Sequence, residues 1–369
     1  MRVLRIDQSS SYRQLIGVGG IGTGIFFELE GNVPLGRNES RPGRLLDVRD
    51  YCKLHIVIHY VAKLLGARVS GSPFHVLPLG RVGKDTAGRQ VVKEMTDAGI
   101  DTRLVHATQG HPTLFSVCFQ YPDGAGGNIT TSNSAAQALS KSDADGIADL
   151  LKSGGQQVIA LAVPEIALEV RQHFLQLATR TGAFRVASFV PAEIAPARQT
   201  GIFEMLDLVS LNEAEAGELI GSSFLSKDRD AFIVKCQDFL QRSCPNLRMV
   251  VTLGKEGAYG VTADLWNYCP APEVEVASTA GAGDALLGGI IAAIAAGIPF
   301  LQAGSSDWAS PRPIATALEL GVLLASYKCL SPHTIHPSAC VETLIDFGRD
   351  HGRPFSPQLQ KFLTIPALA

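Results

Sequence analysis

The residues best equipped for chemistry stand together at Ser278-Thr279-Ala280-Gly281-Ala282-Gly283-Asp284, just before an apolar helical stretch beginning at Ala285. Small side chains at 280–283 let main-chain amides converge on one point with nothing in the way. The helix behind them adds unpaired N–H groups and the positive end of its dipole, so the segment suits a phosphate anion. A carboxylate at the mouth of an anion site is electrostatically out of place unless it reacts. Asp284 could accept the proton of a hydroxyl attacking a terminal phosphoryl group held by the amides of Gly281, Ala282 and Gly283. The plainer alternative is an Asp N-cap on a helix with a glycine-rich entry. A cap, however, does not need four small residues before it.

Other polar residues stand at strand ends. Asn212 and Glu215 follow the apolar run Leu208–Leu211, at the carboxyl end of a strand, where open α/β sheets place their ligands. Glu215 suits the water shell of a magnesium ion; a solvated acidic helix start (Glu213, Glu215, Glu218) is the alternative. Thr252 and Gly254 end a second strand of the same layer, either passing close to a nucleotide or simply leaving the strand. His55 and His59, spaced i, i+4, share a helix face. They could hydrogen-bond a polar substrate, or bind metal with a third ligand, or form a half-buried, satisfied pair. Arg37, Arg41, Arg44 and Arg49 could meet an anionic substrate or line a solvated loop.

The run Ser278-Thr-Ala-Gly-Ala-Gly-Asp284-Ala-Leu-Leu-Gly-Gly resembles the C-terminal signature of the ribokinase-like (PfkB) carbohydrate kinases, Asp-Thr-x-Gly-Ala-Gly-Asp before a small-residue helix. Leu211-Asn212-Glu213-Ala214-Glu215 looks like that family's Asn-x-x-Glu motif, tied to magnesium and phosphate. Val251-Thr252-Leu253-Gly254-Lys255-Glu256-Gly257-Ala258 looks like its nucleotide-side strand and turn, and Leu79–Gly88 is similar to the segment after its second core strand. The motifs fall in the family's order across residues 79–289. The resemblance implies a three-layer α/β sandwich with a central, mostly parallel sheet and a small β lid. It implies ATP and Mg2+, a small-molecule acceptor phosphorylated on a hydroxymethyl group, and Asp284 as base. A homodimer through the lid strands also fits it.

Departures gather on the acceptor side. Gly24 stands where relatives carry an aspartate that grips two sugar hydroxyls. Cys52-Lys53-Leu54-His55-Ile56-Val57 stands where Gly-Gly-x-x-x-Asn is expected, which puts His55 beside the substrate. Ser278 replaces an acidic residue linked to a neighbouring monovalent-cation site, so the resemblance leaves potassium activation open. These changes keep open a nucleotide-binding protein that has lost its substrate pocket. A third reading rests on Gly17-Val-Gly19-Gly20-Ile-Gly22, which fits a dinucleotide fingerprint and an NAD(P)-dependent oxidoreductase. It needs a helix from Gly22 and a later acidic strand end, and Gly31 and Pro34 interrupt any such helix.

These residues need elements to hold them. Strands are expected at Gln14–Val18, Phe74–Leu79, Gln157–Ala162, Phe184–Phe189, Leu206–Leu211 and Met249–Leu253. Helices are expected at Leu54–Leu65, Gly88–Ala98, Pro164–Thr181, Glu213–Ile220 and Phe232–Arg242. The alternation predicts βαβ units and a parallel sheet within one domain over 1–369. Residues 29–48 are rich in Gly, Pro and Arg, and 113–131 alternate polar and apolar. They predict a half-exposed β lid from about 25–48 and 112–131.

Composition narrows the function classes. The chain has 369 residues, 46% of them hydrophobic and 18% charged, with a net charge of −3. That excludes a mostly disordered chain and lacks the basic footprint of a nucleic-acid binder. Residues 285–304 carry no charge, but their Ala and Gly content and Pro299 favour a buried helix over a membrane span. The N-terminus lacks a secretory h-region, and seven scattered cysteines predict reduced thiols and a cytoplasmic protein.

Overall fold

Strands covered on both faces have no wet side, so continuous apolar runs suit them. In the computed structural model the six runs expected from the sequence form Gln14–Val18, His75–Gly83, Val158–Ala162, Phe184–Ser188, Leu208–Asn212 and Arg248–Thr252. The structure describes residues 2–8, 10–123, 126–224, 228–303 and 312–365. Residues 124–125 of the second lid stretch and Gly304 at the end of the uncharged run lie outside them.

Among the described residues the main sheet has nine strands. Their spatial order is Trp266–Cys269, Ala258–Val261, Arg248–Thr252, Leu208–Asn212, Phe184–Ser188, Val158–Ala162, Gln14–Val18, His75–Gly83 and Val105–Thr108. The strands from Arg248–Thr252 to Val105–Thr108 are parallel, and the hairpin at the other edge is antiparallel. Val158, Ala160 and Ala162 pack into the core on one face, Ile159 and Leu161 into the core on the other. The helices Lys53–Leu65, Ala282–Ala295 and Ala317–Lys328 bury their side chains in the second of these cores. The helices Leu168–Thr181, Glu213–Ile220 and Arg229–Ser243 bury theirs in the first. The result is the three-layer sandwich expected from the sequence.

The small sheet has the strand order Gly43–Tyr51, Gly22–Leu29, Leu114–Gln120, Gly126–Thr130. Its outer pairs are antiparallel and its central pair is parallel. The small sheet expected beside the main one is therefore present, with shifted bounds: it begins at Gly22, and Gly43–Tyr51 runs on past residue 48 to Tyr51.

Two sequence features resolve here. After Gly17–Gly22 the chain continues as the strand Gly22–Leu29, so no helix N-terminus follows to meet a pyrophosphate. Those glycines serve packing instead. A Cβ on Gly20 would overlap the Glu165 side chain, and one on Gly22 would overlap the Leu114 carbonyl. The uncharged run forms the buried helix Ala282–Ala295, which stops before Pro299. Among the described residues no helix is long and apolar enough to cross a membrane.

Candidate active site

The turn before the helix Ala282–Ala295 closes at Gly281, with φ +81°. That conformation disfavours any side chain, and a Cβ there would press on the Thr334 carbonyl oxygen at 2.6 Å. Gly283 differs: nothing lies within 4 Å of where its Cβ would stand, so open space faces it. Asp284 is the third residue of the helix, with Gly281 at the cap position, so the N-cap alternative does not hold. The residue is only 9% exposed. Burial raises its pKa above the usual carboxylate value, and the Lys53 ammonium, 3.7 Å away, pulls in the opposite direction.

Lys53, Glu165 and Asp50 join Asp284, and none of them was singled out from the sequence. Lys53 opens the helix Lys53–Leu65, and its backbone N–H donates to Glu165 Oε2 at 3.2 Å. Its own pKa is raised, first by Asp284 and, beyond the opposing desolvation, by Glu165 and Glu215. Glu165 follows the strand Val158–Ala162 and holds φ +76°, a left-handed conformation. For a non-glycine residue this costs on the order of 1–3 kcal/mol and persists only where neighbours fix it. Burial pushes Glu165 up to about 7, with Lys53 working against the shift.

Asp50 stands opposite Gly24 in the lid register. A Cβ on Gly24 would overlap Asp50 Oδ2, so the Asp50 carboxylate occupies the side-chain space that Gly24 leaves empty. Asp50 is 7% exposed and accepts from the Cys118 thiol at 3.6 Å. Burial drives it up to about 6; hydrogen bonds from Cys118, Tyr51 and Thr334 lower it, and the negative charge of Asp284 adds to the rise.

The remaining expected residues divide. Asn212 and Glu215 form a reciprocal capping box at the start of Glu213–Ile220. Asn212 Oδ1 accepts from the Glu215 N–H, and Glu215 Oε2 from the Asn212 N–H, both at 2.9 Å. The helix-start reading thus accounts for those atoms, yet Glu215 also feels Lys53 and Asp284. Thr252 pairs with Asn212 across adjacent strands, and Gly254, at φ +56°, has nothing within 4 Å of its Cβ position. Both therefore lie at the carboxyl edge of the sheet beside Asn212. Asp85 braces its turn, accepting from the Gly88 N–H at 2.7 Å and the Thr113 N–H at 2.8 Å. Thr113 leads into the lid strand Leu114–Gln120.

His55 lies off this centre. Residues i and i+2 of a helix point about 200° apart, so with Lys53 turned to Asp284, His55 turns away. It is fully buried beside Tyr51 and His59, with ring centroids at 4.5 and 5.9 Å, and its nitrogens have no hydrogen-bond partner among the described residues. Burial holds its pKa well below the usual value, so the ring is neutral at physiological pH. His55, His59, Lys63, Arg49 and Glu94 line a cavity of about 550 Å3 that Asp284 does not border. Among the described residues no group of three or more His, Cys, Asp or Glu is arranged to hold a metal directly.

Residues 58–339 match the model of the pfkB family carbohydrate kinases. Fructokinase-1 of Zea mays is 25% identical over 224 residues, which are 58% of this chain and 66% of that protein, just under two thirds of its length. Among solved structures, ribokinase from Giardia lamblia superposes with a TM-score of 0.74 at 18% identity, covering 90% of this chain and 99% of its own. Arabidopsis thaliana ribokinase complexed with ribose and ATP gives 0.64 at 17% identity, covering 95% and 98%. Burkholderia thailandensis nucleoside kinase in complex with inosine gives 0.64 at 17%, covering 92% and 99%.

Proposed function

This chain belongs to the pfkB family of carbohydrate kinases, and from that membership we propose that it transfers the terminal phosphoryl group of ATP to a hydroxymethyl group of a sugar or nucleoside-like compound. The observation that carries the reading is Asp284, a buried carboxylate in the first turn of a helix, held near an ammonium and directly after the open space over Gly283. Asp284 accepts the acceptor's hydroxyl proton as the oxygen attacks phosphorus. The amides of Gly281, Ala282 and Gly283, with the helix dipole, stabilise charge on the transferred group. Lys53 offsets part of the effect of burial on the Asp284 carboxyl.

Thr252 and Gly254 border the nucleotide. Magnesium, when bound, neutralises phosphate charge; Glu215 and Asn212 would hold it through its waters, which suits a carboxylate that, among the described residues, no cage of protein ligands accompanies. On the acceptor side Asp50 and Glu165 take hydroxyl hydrogen bonds, with Gly24 leaving room for Asp50. The ribose and inosine bound by two of the structural neighbours are polyhydroxy compounds of this class. Lid closure over the acceptor excludes water that would otherwise hydrolyse ATP. All seven cysteines are free thiols, which suits a cytoplasmic location.

The test is ADP release from Mg-ATP over a panel of sugars, sugar phosphates and nucleosides, with Asp284→Asn alongside. One acceptor class should drive release in the wild type, and the variant should turn over at least ~10²-fold more slowly with ATP affinity retained. Full activity in Asp284→Asn would remove Asp284 from the reaction. Silence with every acceptor, while ATP still binds, would instead make the chain a nucleotide-binding protein without transfer.

A further inference from the structure

Lys328 is the last residue of the helix Ala317–Lys328 and is fully buried. Its ammonium donates to the main-chain carbonyl of Ser278 at 2.9 Å. Among the described residues no carboxylate lies in ion-pair contact with it. Ser278 begins the turn that leads to Gly281–Gly283, and the same helix end grips the turn again. The N–H groups of Ala277 and Ser278 both donate to the Cys329 carbonyl, at 2.8 and 3.3 Å. Within the turn, Ser278 Oγ accepts from the Ala280 N–H at 3.2 Å, and the Thr279 carbonyl accepts from the Ala282 N–H at 3.1 Å.

Burying an ammonium without a carboxylate partner is costly. This one sits at a carbonyl-rich helix end, which favours a positive charge. Desolvation pulls its pKa down to about 8, so it is still largely charged at neutral pH. It supplies a unit positive charge, bound to a main-chain oxygen, at the root of the turn whose amides face the phosphate. A free monovalent cation bound at that point would supply the same.

We propose that Lys328 is a built-in monovalent cation: a positioning residue whose ammonium orders the Ser278–Gly281 turn and lends positive charge to the phosphate site, so that nucleotide binding needs no free potassium. The inference rests on the phosphate-binding reading of Gly281–Gly283. Its experiment is calorimetric titration of Mg-ATP into the full chain, in potassium chloride and in tetramethylammonium chloride at equal ionic strength.

Wild-type affinity should be the same in both salts. Lys328→Ala should lose at least about tenfold in affinity in tetramethylammonium, the size expected for a lost charge-assisted contact. It should regain most of that in potassium or ammonium chloride, whose cations fit the vacated space. Lys328→Met fills that space and should stay weak in every salt; circular dichroism shows whether each variant is folded. A wild type that binds ATP only with potassium overturns the proposal and leaves the kinase reading intact. So does a folded Lys328→Ala that binds ATP as the wild type does. The wild-type comparison needs no variant, so misfolding of Lys328→Ala leaves the proposal falsifiable. A wild type that binds no Mg-ATP in either salt overturns the phosphate-site reading and this one with it.

Discussion

At the scale of single residues, Gly281 and Gly283 look alike in sequence and differ in the reason each is glycine. Gly281 has positive φ and a carbonyl against its Cβ position, so its side chain is excluded by the fold. Gly283 has open space there, so only a ligand would feel a side chain. Gly283→Val should therefore fold with a melting temperature within a few degrees of the wild type, allowing ~0.5–1 kcal/mol for changed helix propensity. Its ATP affinity should fall sharply, read by the same titration; unchanged affinity would count against the amide site. The aspartate and the glycines were legible in the sequence because the pattern is local. Lys53 was visible too, as one letter in a segment that departs from the family motif. Its aim at Asp284 was not, because that depends on how two helices pack.

At the scale of elements, the register between Gly22–Leu29 and Gly43–Tyr51 decides where the Asp50 carboxylate sits. Gly24 and Asp50 are 26 positions apart in sequence, and only strand pairing brings them opposite each other. Asp50 is predicted to cost stability in return for function. Its folded pKa is raised to about 6 from 3.8. The penalty is therefore absent below the unfolded pKa, grows between pH 4 and 6, and is complete above that. Asp50→Asn should stabilise the fold at pH 7.5 by on the order of 1–3 kcal/mol. That gain should shrink to nothing as the pH falls through this window, followed by urea denaturation. With an acceptor in hand, its KM should rise about tenfold or more, the loss of a charged hydrogen bond, while the KM for ATP stays put. A variant less stable than the wild type at pH 7.5 would make Asp50 a structural residue. The helix Ala317–Lys328, which carries Lys328, was not read from the sequence, because it is buried all round and shows no amphipathic stripe.

At the scale of the whole molecule, the lid leaves Leu45 and Ile129 exposed at 58% and 70% on a sheet that ends in open edges. Such edges invite pairing, and a homodimer through the lid would cover them. Light scattering on the purified chain should give twice the chain mass, and Ile129→Glu should return it to the monomer; a monomeric wild type would retire the dimer. The sequence by itself determined the three-layer architecture, the small half-exposed sheet and the glycine-rich turn before Asp284. Each of these is written in short windows: apolar runs that suit strands with two dry faces, an alternating stretch, and four small residues before an acid. Only the tertiary structure decided which polar groups share the site. It brought in Lys53, Glu165 and Asp50, seated Lys328 beneath the turn, and turned His55 toward another cavity. The physical reason is that charge acts through space: its effect depends on distances and burial that helix packing and strand register create, and those join residues far apart along the chain.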